Sequence, residues 1–490
     1  MKSTNSLSIF IIETITMKKN YIFLLIFMLI ASINVKAQYS SQNISLLGHW
    51  FNPAQLPEPS YGIKYNSVWG WVDTSDSNRE YAILGSGNGT HFIDVSNPVL
   101  PVEIDFVAGR RNQVIWREYK TYGKYLYAIS DDGAPNSFQI IDMSYLPDSV
   151  HVVYDDVTLF ERSHTLFIDG DKLYCGSVTQ PSGGSYFSMA VYSLANPELP
   201  VFLRALNSDD PSITHAHDML VRNDTIYASC GYQGLYIYKY NSTANLFTPI
   251  NSLATYPDQG YNHSSAITPN GRTLVFCDEV PANKAVRVLD ISDISNISIA
   301  STFKSNEGAT AHNPYMWGTN RVVIAYYQDG LQIYDISNPA SPSRTGYFDT
   351  DTIHGLNDGY PTSNTYHGAW GAYIDLPSGN FLVGDMQNGL YVLDANLALG
   401  VHENNITANS ISMFPNPAGN YISVSVKLSS SEEFTFEVFD ISGRKVYSKQ
   451  EMVFAGNTVK AIPLSQFSNG IYVLKVNGKD IHFSEKFIKQ

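Results

Sequence analysis

One short pattern of apolar and polar positions recurs along the chain: an aliphatic or aromatic residue, then Asp, then a hydrophobe, then Ser or Asn, often followed by Asn-Pro. Its alternation is typical of a β-strand, and its Asp or Ser side chain can bond the backbone of a following turn. Seven copies, some of them degenerate, lie 45–59 residues apart, at residues 93–98, 141–144, 192–197, 238–241, 289–293, 334–339 and 393–396. A β-rich repeat of this length predicts a propeller with one blade per copy.

A second, weaker apolar segment follows each of the first six copies, and we interpret it as the outer strand of each blade. No such segment follows the seventh copy, but residues 44–50 near the start of the chain match it. We therefore expect the N-terminal strand to complete the last blade and close the ring, which removes two open sheet edges. The predicted fold is all-β: a seven-bladed β-propeller over residues 38–400, closed by its N-terminal strand.

A third recurrent segment begins each blade and is predicted to be the inner strand beside the central channel. In five consecutive blades it starts with a histidine: His164, His217, His263, His312 and His367. By spacing, Asn66 and Arg117 take this position in the first two blades, and His215 lies two residues before His217. The entry of a blade's first strand and the exit of its second lie on one face. The acidic residues that end the second strands are therefore expected at the same mouth of the channel.

This convergence predicts a divalent transition-metal site or a His/Asp acid–base site, because imidazole binds zinc, iron, copper or nickel and titrates near neutral pH. The candidate metal ligands are the five histidines, and the candidate catalytic carboxylates are Asp278, Glu279 and Asp385. The candidate ligand-binding residues are Arg117, Trp69, Trp116, Asp218 and Trp370. A guanidinium suits an anion, and indoles either stack on a sugar or peptide or pack between blades. The alternative for the histidines is a structural ring that hydrogen-bonds the backbone between blades.

A weaker case concerns calcium, which prefers clustered oxygen ligands. Residues 349–351 (DTD) and 357–359 (NDG) lie in the long connection between the sixth and seventh blades. Their spacing is not that of an EF-hand loop, and the alternative is an acidic, solvated loop.

The charge is uneven and excludes one class of partner. The chain carries −14 in total, with +3 on residues 1–37, +2 on residues 411–490 and −19 between them. So acidic a body argues against nucleic-acid binding, which needs clustered Lys and Arg. Hydrophobic residues are 44% and charged residues 16%, so the chain can bury a core. Its three cysteines cannot form a disulfide framework and are expected to be small buried hydrophobes.

The first 37 residues are predicted to be a secretory signal peptide. Two lysines at 18–19 precede an apolar stretch and the sequence VKA at 35–37, which fits a cleavage site. Met17, directly before the lysines, is an alternative start. The apolar stretch is too short to span a bilayer, and no later segment is predicted to do so.

Residues 411–490, after a polar linker at 401–410, read as short antiparallel strands and predict a small C-terminal β-sandwich. They resemble the type A C-terminal sorting domain of Bacteroidetes type IX secretion cargo. The residues that carry the resemblance are 414–417 (FPNP), 440–444 (DISGR), 470–474 (GIYVL) and the basic end at 486–489. The resemblance implies that residues 411–490 engage the type IX machinery. It also implies that the protein is released or attached at the outer-membrane surface.

The body resembles the LVIVD-repeat, "choice-of-anchor B" family of extracellular β-propellers. The residues that carry this resemblance are 69–71 (WGW), 79–84 (REYAIL), 93–98 (IDVSNP), 116–118 (WRE), 163–164 (SH), 214–218 (THAHD), 262–263 (NH), 278–279 (DE), 311–313 (AHN) and 367–371 (HGAWG). At residue 118 this chain has Glu where the family often has Asp, which keeps the charge. The resemblance implies architecture and location, and it implies no reaction.

Three functions remain open. The first hypothesis is a secreted or surface-displayed binding module with a ligand site at the His-lined mouth, which would take a glycan or a surface protein. The second is an extracellular metal-dependent hydrolase or lyase in which the histidines hold the metal and a carboxylate acts as base. The third is a structural or adhesive surface protein with an inert channel.

Overall fold

The computed structural model describes residues 39–73, 76, 78–181, 184–351, 366–399, 410–414, 418, 421–428, 431–453, 456–479 and 481–489. The chain divides into two units, residues 1–399 and 400–490. The predicted signal peptide and residues 401–409 of the predicted linker lie outside the described residues.

Strands make up nearly all the regular structure of the described residues in the N-terminal unit. In chain order they are β1 (Ser41–Gln42), β2 (Ser45–Trp50), β3 (Tyr65–Val72), β4 (Glu80–Ser86), β5 (Gly89–Asp94), β6 (Val102–Ala108), β7 (Arg117–Tyr122), β8 (Tyr125–Ser130), β9 (Phe138–Asp142), β10 (His151–Asp156), β11 (Thr165–Asp169), β12 (Lys172–Thr179), β13 (Tyr186–Ser193), β14 (Val201–Ala205), β15 (Asp218–Arg222), β16 (Thr225–Ser229), β17 (Leu235–Asn241), β18 (Leu246–Leu253), β19 (Asn262–Ile267), β20 (Thr273–Asp278), β21 (Val286–Asp290), β22 (Ser298–Phe303), β23 (Asn313–Trp317), β24 (Arg321–Ala325), β25 (Leu331–Asp335), β26 (Ser343–Phe348), β27 (Ala369–Tyr373), β28 (Asn380–Asp385) and β29 (Gly389–Asp394). Short 3₁₀ turns also form at Leu206–Ser208 and Asn396–Leu399.

These strands form seven antiparallel sheets, which we number by their inner strands β3, β7, β11, β15, β19, β23 and β27. The first five sheets each contain four consecutive strands, and the last two have the orders β1-β26-β25-β24-β23 and β2-β29-β28-β27. Each inner strand contacts the inner strand of the next sheet, and β27 contacts β3. The prediction of an all-β propeller followed by a small C-terminal β-domain is confirmed.

The recurrent sequence pattern ends the third strand of every sheet, where its polar side chain holds the following turn. Asp94 Oδ1 accepts a hydrogen bond from the backbone N–H of Ser96 at 2.8 Å, and Asp335 Oδ1 accepts one from Ser337 at 2.7 Å. In the other five sheets the side-chain oxygen of one residue likewise accepts a hydrogen bond from the backbone N–H two residues later. The accepting residues are Asp142, Ser193, Asn241, Asp290 and Asp394. The side chain replaces the ladder partner that the backbone loses where the strand ends.

A β-bulge shows that the N-terminal strand β2 is equivalent to the other outer strands. In every sheet the outer strand carries one extra residue opposite its neighbour. In the seventh sheet β2 carries it between Leu46 and Gly48, where it pairs with β29. Strand β1 is a further edge strand on the sixth sheet. The repeat pattern does not predict it, because only two residues form it.

The core of this unit lies between neighbouring sheets. The third strands are largely buried on both faces, and Phe92, Ile93, Ile333 and Leu393 are fully buried. Outer strands alternate between exposed and half-buried residues, as in Ser298–Phe303. The three cysteines are unpaired and buried, as the sequence predicts.

The C-terminal unit contains strands β30 (Ser410–Phe414), β31 (Tyr421–Leu428), β32 (Glu432–Asp440), β33 (Lys445–Val453), β34 (Gly456–Pro463), β35 (Gly470–Asn477) and β36 (His482–Lys489). They form two antiparallel sheets of orders β30-β31-β34 and β33-β32-β35-β36. One apolar cluster takes residues from both sheets, including Val424 from the first and Phe436 and Leu474 from the second. Two sheets that share one core form a small sandwich.

Candidate functional site

Four imidazoles form a continuous row at the start of consecutive inner strands. His164, His217 and His312 each directly precede their strand, and His263 is the second residue of β19. Ring centroids are 4.1 Å apart at each of the three steps along the row. We call these four residues the histidine row.

The strand register explains why His263 and Trp370 take equivalent positions in their sheets. Asn262 pairs with Asp278 and Ser264 with Cys277, so a bulge presents His263. In the seventh sheet Ala369 pairs with Asp385 and Gly371 with Gly384, so the equivalent residue is Trp370. The centroid of the Trp370 ring lies 5.0 Å from that of His312. The row therefore ends on an indole at this position.

Backbone carbonyls of the next sheet fix the orientation of two rings. His217 Nδ1 lies 3.0 Å from His263 O, and His312 Nδ1 lies 2.6 Å from Trp370 O. A carbonyl oxygen only accepts, so each Nδ1 carries the proton and donates it. In a neutral ring the lone pair is then on Nε2, as in many metal-binding histidines. The predicted structural bond between blades is thus present, and it uses one nitrogen of each ring.

Burial sets the charge of the row. It lowers the pKa of His217 and His263 well below the usual value, and neighbouring histidines lower both further. Burial also lowers the pKa of His312 to about 3. Burial acts in the same direction on His164, but its 2.7 Å hydrogen bond to Asp131 and the charge of that carboxylate outweigh it and raise the pKa. Three of the four rings are therefore neutral at neutral pH.

Glu279 completes a cluster of ligand-type atoms beside the row. It directly follows β20, and its Oε2 lies 3.7 Å from His263 Nε2 while its Oε1 accepts a 2.7 Å hydrogen bond from Tyr327. One ligand atom from each of His217, His263 and Glu279 lies within 4.8 Å of the other two. In the described part of the chain, these three residues form the one group of His, Cys, Asp or Glu side chains whose ligand atoms are close enough to hold a metal ion together. Burial raises the pKa of Glu279, against the bond from Tyr327.

A second polar network lies next to His217. His215 Nδ1 lies 2.8 Å from the Ser177 hydroxyl, and its Nε2 lies 2.5 Å from the Tyr261 hydroxyl. The Tyr261 ring meets that of His217 edge-on at 5.2 Å. Burial lowers the pKa of His215 to about 4. These contacts hold the Tyr261 hydroxyl close to the row.

A cavity of about 590 Å³ runs along the inner strands from the histidine row. Opposite the row, Glu118 accepts hydrogen bonds from Ser67 at 2.7 Å and from the Trp370 indole at 3.2 Å. Lys120 Nζ lies 3.9 Å from the centre of the Trp69 ring. The carboxylates that line the cavity are Glu118, Asp131, Asp218, Glu279 and Asp375, and the lining lysine and arginine are Lys120 and Arg222. The cavity is therefore acidic and aromatic.

The structure brings most of the predicted site residues together. The predicted residues that line this one cavity are His164, His217, His263, His312, Glu279, Asp218, Trp69, Trp116 and Trp370. Burial raises the pKa of Asp218 to about 6, against the nearby Lys120 charge. Four predicted residues are not among those that line the cavity: Arg117, Asp278, Asp385 and His367.

The strand register places Arg117 one residue after the position that the histidines occupy. Arg117 pairs with Ser130 of the second strand, as Thr165 and Asp218 pair with the second strands of their own sheets. Arg117 is therefore equivalent to the residue that follows each histidine. Trp116 takes the position that corresponds to His164 and His217. The Arg117 side chain is buried and donates to the backbone carbonyls of Ser86 and Arg111. The structure therefore places this guanidinium against the backbone and not against an anion in the cavity.

Asp278 and Asp385 bind backbone and neighbouring side chains away from the cavity. Asp278 is fully buried, pairs with Arg287 at 3.0 Å and accepts bonds from Tyr256 and Gly260. Asp385 is also fully buried and accepts bonds from the N–H groups after it. Because strand side chains alternate, Asp278 at the end of β20 faces away from the cavity and the next residue, Glu279, faces into it.

The remaining predicted residues lie elsewhere. His367 is two residues before β27 and does not take the ring position. Of the predicted calcium ligands, Asp349 and Asp351 are buried, and Asp349 Oδ1 accepts the Asp351 N–H at 2.9 Å. Residues 357–359 lie outside the described residues.

Sequence reasoning missed Glu118, Lys120, Tyr261 and Tyr327 as site residues. The first two alternate with Arg117 and Tyr119 along β7, so a strand period of two starting from Trp116 would have placed them on the channel face. Tyr261 and Tyr327 lie outside the repeated segments, and nothing in their spacing marks them.

Two family profiles match parts of the chain. Residues 320–350 match the LVIVD repeat, and residues 412–490 match the secretion system C-terminal sorting domain. Both resemblances predicted from the sequence are confirmed. The sorting domain implies interaction with the secretion machinery and indicates export to the cell surface or extracellular space.

Other similarities are weaker. The endo-acting ulvan lyase of Formosa agariphila is 29% identical over 83 residues, or 17% of this chain, and the chain spans only 15% of that protein's length. PorZ, a surface component of the type-IX secretion system of Porphyromonas gingivalis, has a TM-score of 0.46 at 10% identity, over 85% of this chain and 58% of PorZ. The Myceliophteria thermophila Cps50 (Swd1) β-propeller domain has a TM-score of 0.46 at 9% identity, over 72% of this chain and 99% of that domain. Within the described part of the chain, no helix has the length and apolar character needed to cross a membrane.

Proposed function

We propose that this exported propeller is a binding module whose cavity holds a divalent transition-metal ion through His217, His263 and Glu279. The observation that carries the proposal is the convergence of three ligand-type atoms within 4.8 Å of one another on the wall of a cavity. Two imidazoles with one carboxylate suit zinc, iron, copper or nickel better than calcium or magnesium.

The surroundings of the three residues support this proposal. The low pKa of both histidines keeps them neutral, which metal ligation requires. The carbonyl of His263 fixes the tautomer of His217, and the Tyr327 hydroxyl holds Glu279. Such outer contacts are typical of metal sites, because they orient the ligands before the ion arrives.

Binding is better supported than catalysis. Three protein ligands would leave a coordination position for water or a ligand, which is also the arrangement of catalytic zinc sites. However, the predicted bases Asp278 and Asp385 do not line the cavity, and Glu279 is itself a proposed ligand. A metal-dependent hydrolase or lyase would therefore lack the base that the sequence suggested.

Elemental analysis of the purified chain, followed by calorimetric titration with Zn²⁺, tests this function. We expect about one transition-metal ion per chain, and at least about tenfold weaker Zn²⁺ binding in His217→Ala, His263→Ala and Glu279→Gln. The Gln variant keeps an oxygen that can accept the Tyr327 bond, so it removes the charge with little change in shape.

His151→Ala is the matched control, because this exposed imidazole stacks on Tyr145 outside the cavity. Thermal unfolding of each variant separates loss of metal from loss of fold. A folded wild-type chain that binds no Zn²⁺, or equal binding in the wild type and the two histidine variants, would refute the proposal.

A further inference from the structure

Three solvent-exposed tyrosines surround the end of the cavity where the histidine row lies. The exposed fractions are 44% for Tyr61, 43% for Tyr186 and 66% for Tyr232. Such exposure is high for large aromatic side chains, and each of these rings also touches a residue that lines the cavity.

The contacts place each ring at the cavity rim. The Tyr186 hydroxyl lies 3.2 Å from His215 Nδ1. The Tyr232 ring meets Tyr261 edge-on with centroids 5.1 Å apart, and the Tyr61 ring meets Tyr366 edge-on at 5.0 Å. His215, Tyr261 and Tyr366 are all lining residues. We call Tyr61, Tyr186 and Tyr232 the rim tyrosines.

The rim tyrosines lie on opposite sides of the mouth. Tyr186 begins β13 of the third sheet, and Tyr232 lies in the turn between β16 and β17 of the fourth. Tyr61 precedes the first sheet, and its partner Tyr366 precedes the seventh. In the cyclic order of inner strands, the first and seventh sheets lie across the ring from the third and fourth. A ligand that touches all three rings must therefore extend across the mouth.

The interior of the cavity indicates the chemistry of that ligand. Its five lining carboxylates accept hydrogen bonds and outnumber the lining cations, which are Lys120, Arg222 and the His164 ring that pairs with Asp131. Arg222 already donates to the backbone carbonyl of Thr268 at 2.9 Å. Hydroxyl donors match this lining, and without a bound metal ion its excess of carboxylates repels sulfated or carboxylated chains.

We infer that the mouth binds a neutral polysaccharide chain, with the rim tyrosines stacked on sugar faces and hydroxyl groups donated to cavity carboxylates such as Glu118 and Asp131. Sugar rings combine apolar C–H faces with polar edges, which is the combination that exposed tyrosines and acceptor groups recognise. The inference rests on the proposed binding function of the cavity but does not require the metal.

A protein partner fits this surface less well. A stable protein interface buries roughly 800 Å² on each side around a close-packed apolar centre. Here the centre of the surface is a cavity lined by carboxylates as well as aromatic rings, and the exposed rings stand apart around it.

Native affinity electrophoresis of the full chain tests the inference, in gels that contain a neutral β-glucan, xylan, mannan or galactan. With a chelator in every gel to remove any bound metal, we expect retardation in at least one of these gels and weaker retardation in gels with alginate or pectate. Tyr61→Ala, Tyr186→Ala and Tyr232→Ala should each weaken binding about two- to tenfold, the range expected for one aromatic stacking contact.

Two sets of variants make the result specific. The Tyr→Phe variants keep the ring and should bind within about twofold of the wild type. Tyr145→Ala is the matched control, because this ring is 48% exposed and stacks on His151 outside the cavity. Retardation should persist in His217→Ala, which separates this inference from the metal proposal.

Several outcomes would overturn the inference. One is no retardation in any neutral gel, and another is equal retardation of the wild type and all three rim Tyr→Ala variants. The others are a loss of binding in Tyr145→Ala as large as in the rim variants, and stronger binding to the anionic chains than to the neutral ones.

Discussion

Asp385 is a buried carboxylate of the propeller, and its burial changes its pKa. Its side chain is 0% exposed, and Oδ1 accepts hydrogen bonds from the N–H groups of Gln387 and Asn388 at 2.9 and 2.8 Å. Burial raises its pKa to about 6, because desolvation outweighs those bonds, and the nearby Asp351 carboxylate acts in the same direction. The folded protein therefore binds this proton more tightly than the unfolded chain does.

This shift predicts a pH dependence of stability. The unfolded chain releases the proton first, so as pH rises from about 4 to about 6 this group lowers the free energy of unfolding, and above pH 6 its effect is constant. The wild type should lose about 2–3 kcal/mol relative to Asp385→Asn over that interval. Guanidinium unfolding followed by tryptophan fluorescence measures it, since all six tryptophans lie in the N-terminal unit. Parallel pH profiles of the two proteins would contradict the prediction.

At this scale the sequence placed most of the candidate site, including Glu279 and Asp218, but it also chose Asp278 and Asp385, which do not line the cavity. The His spacing was informative because each histidine opens a repeated strand, and four of the five lie in one row. Asp278 and Glu279 are adjacent in sequence, yet only Glu279 lines the cavity. Bulges at His263 and Trp370 shift the register by one residue, and spacing alone does not reveal such a shift.

Among the elements, β2 of the seventh sheet packs closely against the turn after β5 of the first sheet. A Cβ atom on Gly48 would lie 2.0 Å from the carbonyl oxygen of Pro98 and 2.9 Å from Pro101 Cδ, both in the turn after β5. The backbone of β2 therefore approaches the first sheet as closely as a glycine permits.

Gly48→Ala should destabilise the N-terminal unit by about 1–3 kcal/mol, because the clash is with backbone and cannot be relieved by a side-chain rotation. The tryptophan fluorescence midpoint in guanidinium measures this. Gly133→Ala is the control, since its new Cβ would meet only the flexible end of Arg111, at 3.1 Å. Equal midpoints for Gly48→Ala and the wild type would mean that this close approach of β2 to the first sheet does not require a glycine.

The elements themselves were largely predictable. The turn after each third strand follows from a local rule, a side chain that bonds the backbone two residues on, and that rule needs no tertiary information. The two-residue strand β1 was not predictable, because its pairing with Tyr347 and Phe348 depends on where the folded ring brings the N-terminal segment.

For the whole molecule, the two units have separate apolar cores. Phe92 is fully buried in a cluster of the first and second sheets, and Phe436 is 1% exposed in the core of the C-terminal sandwich. Substitutions in cores that share no residues are expected to act independently. This independence suits a chain in which one part is sorted by the export machinery while the other carries the cavity.

The full chain should therefore show two unfolding transitions. Phe436→Ala should destabilise the C-terminal unit by about 3–5 kcal/mol and shift part of the far-ultraviolet circular dichroism curve, while the tryptophan fluorescence midpoint stays where it is. Phe92→Ala should do the reverse and move the fluorescence midpoint. If Phe436→Ala lowers the fluorescence midpoint as far as Phe92→Ala does, the propeller depends on the sorting domain for its stability.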